Sequence, residues 1–158
     1  KPLDIWDMLA TLVDIHNRGH ENKKPSIALT RINSSGPIIV MGIEGRLVQI
    51  FQNLITNAET FSQKNDVIRI TILSDKQAVI IYVDDDGPGI SPGNENKIFS
   101  RFYTERAETE KFGTHSGLGL SISLQIATAH RGQISAKNRK DNTGAILGAR
   151  FTVQLPLA

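Results

Sequence analysis

The chain has no cysteine among its 158 residues, which removes disulfides and thiolate metal sites from consideration and leaves a reducing compartment open. It carries one Trp, two Tyr and two Met, so no aromatic belt or Met-rich surface organises it. No apolar run approaches the ~20 residues a membrane helix needs, and no signal-peptide pattern is visible. Net charge is also scarce. Eighteen basic residues against sixteen acidic ones leave +2, which argues against nucleic acid as a partner despite a pI near 9.0. The chain opens at Lys1 without an initiator Met, which points to a fragment of something longer.

What is present suits one ordinary globular domain spanning 1–158, with 39% hydrophobic and 22% charged residues. A chain of this size removes roughly 68–70% of its unfolded surface from water on folding. Helical periodicity predicts a first helix over 3–17, followed by a polar connector to about residue 24. Strands are expected over 26–32 and 38–41, with Ser34, Ser35, Gly36 and Pro37 between them reading as a turn. A longer helix over 44–61 precedes strands over 67–74 and 77–84, joined by Asp75-Lys76 as a hairpin. Residues 91–116 are polar and lack sustained periodicity. A segment that long inside a compact domain is functional or disordered. A third helix over 117–130, stopped by Arg131-Gly132, and strands over 133–136 and 149–155 complete the chain. Paired hairpins rather than alternating single strands predict an α+β two-layer sandwich, a mixed sheet with helices on one face.

Three constellations carry chemistry. The first is Asp85-Asp86-Gly87-Pro88-Gly89-Ile90. By strand alternation Val79, Ile81, Val83 and Asp85 share a face, and a carboxylate continuing a buried aliphatic row is costly without a donor to meet it. An adenine amine is one such donor, because an ionised Asp only accepts. The second is the row Gln49, Asn53, Asn57 and Thr60 beside the apolar stripe of the long helix. Two readings stay open, a ligand-facing amide surface and a helix that tolerates asparagines. In the first, Asn57 offers the hard neutral oxygen that suits Mg²⁺ when substrate phosphates supply the negative ligands. The third is Ser116-Gly117-Leu118-Gly119-Leu120 at a helix start. There Ser116 is an N-cap, and the glycines let a phosphate approach backbone N–H groups. A dinucleotide fingerprint fails at Ile122, no P-loop sequence occurs, and an EF-hand loop fails at Tyr82 and Gly93.

Taken in order, Asn53/Asn57, Asp85 to Gly89, Phe99-Ser100-Arg101-Phe102-Tyr103 and Gly117-Leu118-Gly119-Leu120 resemble the N, G1, F and G2 boxes of the catalytic ATP-binding domain of sensor histidine kinases. That family belongs to the Bergerat-fold group shared with gyrase B, Hsp90 and the mismatch-repair ATPases. The stretch His115 to Ser123 is similar to ChvG-type sensors of alphaproteobacteria. The resemblance implies ATP and Mg²⁺ as ligands, with Asn57 on the metal and Asn53 lining the pocket. Asp85 would hold the adenine amine, with Gly87, Gly89 and Ile90 shaping its surroundings. Phe99, Phe102 and Tyr103 would belong to an ATP lid over 91–116, hinged at Gly93 and Gly113. Ser116, Gly117, Leu118, Gly119 and Leu120 would face the triphosphate, and Arg101 is a candidate for the γ-phosphate, a solvated lid arginine being its alternative. The implied partners are the protein's own dimerisation and histidine-phosphotransfer domain and a response regulator, in a membrane-anchored homodimer with this part in the cytoplasm. Three departures stand out. Thr60 occupies a place where many members carry Lys or Arg. His115 stands where glycine is frequent. Asn53 stands where ATP-hydrolysing relatives place a water-activating Glu, and an amide cannot act as a general base. None of His16, His20, His115 and His130 sits in a phosphoacceptor sequence.

Overall fold

A computed structural model describes residues 1–19, 25–100 and 119–158. The elements are β1 (Pro2–Asp4), α1 (Ile5–Gly19), β2 (Ser26–Ile32), β3 (Ile39–Met41), α2 (Glu44–Thr60), β4 (Val67–Ser74), β5 (Ala78–Asp84), α3 (Gly119–Ala129), β6 (Gln133–Lys140) and β7 (Ile146–Pro156). A 3₁₀ turn at Lys97–Phe99 interrupts the stretch between β5 and α3.

Five strands form one sheet in the order β2-β4-β5-β7-β6, with β2 parallel to β4 and every other pair antiparallel. Register aligns Leu29, Ile70, Val83, Phe151 and Ala136 in one row across the sheet. Ile72, Ile81, Val153 and Ile134 make a second row on that face. These rows are buried against Leu47, Ile50, Phe51, Leu54 and Ala58 of α2 and Ile126 and Ala127 of α3. The opposite face holds Arg69, Thr71, Tyr82, Arg150 and Thr152, all half-buried. This is the expected α+β sandwich, since one face of a mixed sheet satisfies the apolar stripes of the helices and the other stays wet.

Three expectations are corrected. The segments 26–32 and 38–41 are not a hairpin, because β3 pairs with β1 in a separate two-stranded sheet, Leu3 opposite Val40. The predicted first helix begins two residues late for the same reason. Asp4 ends β1 and caps α1, its Oδ1 accepting from Trp6 N at 3.1 Å while also taking Ile38 N at 3.1 Å. One carboxylate thus turns what reads as helix start into a strand-to-helix corner. At the other end β6 runs to Lys140, four residues beyond its predicted stop, because its alternating polar residues still pair with β7. Arg131 closes α3 in a left-handed conformation (φ 61°), and Gly132 N donates to Ala127 O at 2.7 Å.

Candidate functional site

Strand alternation places Asp85 where the sequence puts it. Val79, Ile81 and Val83 are buried on the core face, and Asp85 continues them at 1% exposure. Its Oδ1 accepts Gly87 N at 2.8 Å and Ala149 N at 3.2 Å, which fixes the carboxylate plane at the sheet's rim. The two flanking acids turn to the other face. Asp84 is gripped by Arg150 through both oxygens, Nε–Oδ1 2.8 Å and Nη2–Oδ2 2.9 Å, and that guanidinium stacks 4.1 Å over Tyr82. Asp86 is gripped by Arg69 at 2.7 and 3.2 Å and touched by Arg139 Nη2 at 2.9 Å. Hydrogen bonding from Arg69, joined by Arg139, holds the Asp86 carboxyl below its ordinary pKa.

The glycines of this loop are explained by space. A side chain at Gly87 would stand 2.7 Å from Phe61 O, at the end of α2. Gly89 has φ +84°, and a Cβ there would meet Asn138 Oδ1 at 2.6 Å. Ile90, which the resemblance gives to the nucleotide pocket, is also an anchor of this loop. Its side chain is in the core, and Asn138 takes its N–H and its carbonyl at 2.7 Å each. Phe99 is anchored in the same way. Assigned to the lid, it packs in the core, edge-on to Phe151 at 6.2 Å.

The other wall is the seam between α2 and α3. Asn53 Nδ2 donates to Gly119 O at 3.1 Å and Ser123 Oγ at 3.2 Å, so it ties the helices together and leaves less of itself to line a pocket. Leu120 packs partly against the core. One turn beyond Asn53, Asn57 is half-buried, and its side chain makes no hydrogen bond among the described residues. The Thr60 hydroxyl bonds back to Thr56 O at 2.9 Å, so it supplies no substitute for the absent cation. Helix α2 is therefore met at Asn53 by Gly119 and at Phe61 by Gly87, with Asn57 between them. Arg101, Phe102, Tyr103, Gly113, His115, Ser116, Gly117, Leu118 and His20 lie outside the described residues.

A family model, the histidine kinase-, DNA gyrase B- and HSP90-like ATPase, matches residues 42–158. The chain belongs to this family. The sensor protein ChvG of Agrobacterium fabrum is 43% identical over 99% of the chain, which spans 27% of that relative's length. Among solved structures, the mycobacterial sensor histidine kinase MprB superposes with a TM-score of 0.82 at 21% identity, covering 99% of this chain and 98% of the other, a likeness of fold. Full-length ShkA, solved in complex with AMPPNP, gives 0.79 at 26% identity, over 100% of this chain and 31% of its own. The chain is thus the catalytic ATP-binding domain of the sensor-kinase family.

Sequence reasoning missed Asn138, Arg139, Gly148 and Arg150. Each supports the Asp85 loop from across the sheet, and none lies within a motif. The strand was expected to stop at Ala136, short of Asn138 and Arg139. The described histidines have structural partners: His16 Nε2 is 3.0 Å from Pro25 O, and His130 Nε2 accepts Ile43 N at 3.2 Å. Among the described residues no helix is long and apolar enough to cross a membrane.

Proposed function

We propose that this domain binds Mg·ATP between the Asp85 rim and the α2–α3 seam and presents the γ-phosphoryl group to a histidine on a separate dimerisation domain, from which a response regulator receives it. The observation that carries this reading is the convergence on one helix, with Gly87 against its end, Gly119 against Asn53, and between them the amide of Asn57, which makes no hydrogen bond among the described residues.

In this reading Asp85 accepts the adenine amine, Gly87 and Gly89 keep the rim open to a flat base, and Gly117 and Gly119 lead the triphosphate to the start of α3. Arg101 is the cation assigned to the γ-phosphate. Asn57 fits a hard cation because its amide oxygen has no hydrogen bond among the described residues, where no cluster of three or more His, Cys, Asp or Glu is arranged to hold one either. Such a site suits Mg²⁺ carried mainly by substrate phosphates. Bound there, the ion neutralises charge on the transferring group. The protein's own contribution is orientation. The full protein in this proposal is a membrane-anchored dimeric sensor with this domain in the cytoplasm.

An autonomous ATPase is the rival. Asn53 counts against it, since its amide is no base and already spans Gly119 and Ser123. The test is to supply the domain with Mg·ATP alone and with a purified dimerisation domain from a ChvG-type relative. Label should appear on the partner's histidine, and phosphate release by the domain alone should stay slow. Sustained release without partner labelling would favour the ATPase.

A further inference from the structure

Resting on the adenine role of Asp85, we propose that Arg139 is a positioning residue for purine discrimination: its guanidinium holds the backbone carbonyl of Asp85 and so aims the carboxylate at the base.

The ion pairs around the loop do not need it. Asp84 already has Arg150 on both oxygens, and Asp86 has Arg69 on both. Arg139 is a third guanidinium on a pair of carboxylates each served by its own. What it adds is a bond to the Asp85 carbonyl. The last register pair of β5 is Asp84 opposite Arg150, and just beyond it Asp85 N still donates to Ala149 O at 3.1 Å. Arg139 Nη2 donates to the Asp85 carbonyl and, from the same nitrogen, reaches Asp86 Oδ1 at 2.9 Å. Its Nε is buried 3.9 Å from Asp84 Oδ1, without a hydrogen bond among the described residues. The fork is therefore placed by the carbonyl rather than by ideal pairing with either acid.

A second observation comes from β7. At Gly148 a Cβ would overlap the Asp85 carbonyl and stand 2.8 Å from Arg139 Nη2. Glycine there makes room for the carbonyl and the guanidinium to meet. The β6–β7 register also slips between Arg139 and Lys140, where the strand re-aims this side chain. A carboxylate whose oxygen is fixed by Gly87 N and Ala149 N, and whose backbone is fixed by Arg139, has little freedom to turn. Discrimination between an amine and a carbonyl on the purine depends on that, because a rigid acceptor rejects guanine while a mobile one moves aside.

The experiment compares Mg·ATP and Mg·GTP binding by calorimetry, with thermal melting, for wild type, Arg139→Met, Arg139→Lys and Asp85→Asn. Arg139→Met should lower the ratio of ATP to GTP affinity about tenfold, the scale of one misplaced buried polar contact. Arg139→Lys keeps the charge but cannot fork, and should lower the ratio about threefold. It carries the test if the Met variant does not fold. A lowered melting temperature with the wild-type ratio in both variants would make Arg139 merely structural and overturn the proposal. If wild type does not discriminate and Asp85→Asn is equally silent, the adenine role itself fails and the inference falls with it. If Asp85→Asn loses discrimination while the Arg139 variants keep it, only the inference falls.

Discussion

The two walls of the cleft are built in opposite ways. At the Asp85 rim most polar groups have a named partner: the carboxylates of Asp84 and Asp86 face three arginines, that of Asp85 takes two backbone N–H groups, Asn138 fills both backbone valences of Ile90, and glycines admit close neighbours at 87, 89 and 148. At the α2–α3 seam the helices are packed together, and among the described residues Asn53 is the side chain that hydrogen-bonds across it while Asn57 makes no side-chain hydrogen bond. The contrast teaches that the two ends answer different demands. A base is rigid and its edge pattern fixed, so its acceptor gains from being locked. Phosphates and a metal bring their own strong ligands and change during transfer, so their wall gains from valence left open.

The largest blow to this contrast should come from Gly148→Ala. Its methyl would occupy the place of the Asp85 carbonyl, and the overlap is with backbone, which cannot move as a side chain can. We expect a loss of about 3 kcal/mol of stability, read as a lowered urea midpoint, because overpacking forces backbone shifts. A midpoint near wild type would show that the rim yields. Next is Asn138→Ala, which strands the buried N–H and carbonyl of Ile90 and should cost about 1–3 kcal/mol in the same measurement. Asp85→Asn should remove the preference for adenine nucleotides at a comparable cost in ATP binding, about 1–3 kcal/mol, since a site that needs an acceptor meets a donor. Unchanged ATP affinity would take the base away from this rim.

Substitution at the other wall should behave differently. Asn57→Ala should leave the melting temperature within about 1 °C, since half-exposed positions without committed partners contribute little to stability. It should nonetheless abolish the Mg²⁺ dependence of nucleotide binding. A large drop in melting temperature would show that Asn57 is a structural asparagine after all, and the seam would be no more open than the rim.

Legibility in the sequence followed the same divide. Alternation over 79–85 was enough to put Asp85 on the buried face, and helical spacing was enough to line up Asn53 and Asn57, because both rest on the periodicity of a single element. What supports those residues was not legible. Arg139 and Gly148 reach Asp85 through a pairing of strands more than fifty residues away, and no local pattern encodes that register. Beside β3, the expected hairpin failed because a three-residue strand, Pro2–Asp4, was too short to show alternation and lay inside an apolar helical stripe. Phe99 was placed in the lid by the resemblance, and its anchoring partner on β7, Phe151, lies about fifty residues on, where no local pattern shows it.

The smallest expected effect tests the rim by acid. Asp86 has its carboxyl lowered from 3.8 by Arg69 first and Arg139 after it, so the folded state binds its proton less readily than the unfolded state does. The contribution of that ion pair is then complete above the unfolded value and is lost only as pH falls below it toward the folded one. The pair is about 40% exposed on both sides, so solvent screens it and the effect is modest. Comparing the urea midpoints of wild type and Asp86→Asn across pH should show a constant small gap above about pH 5 that closes below about pH 4. A gap that instead opened on acidification would mean the arginines are held apart by Asp86 rather than neutralised by it. The rim would then be stabilised by its backbone bonds alone.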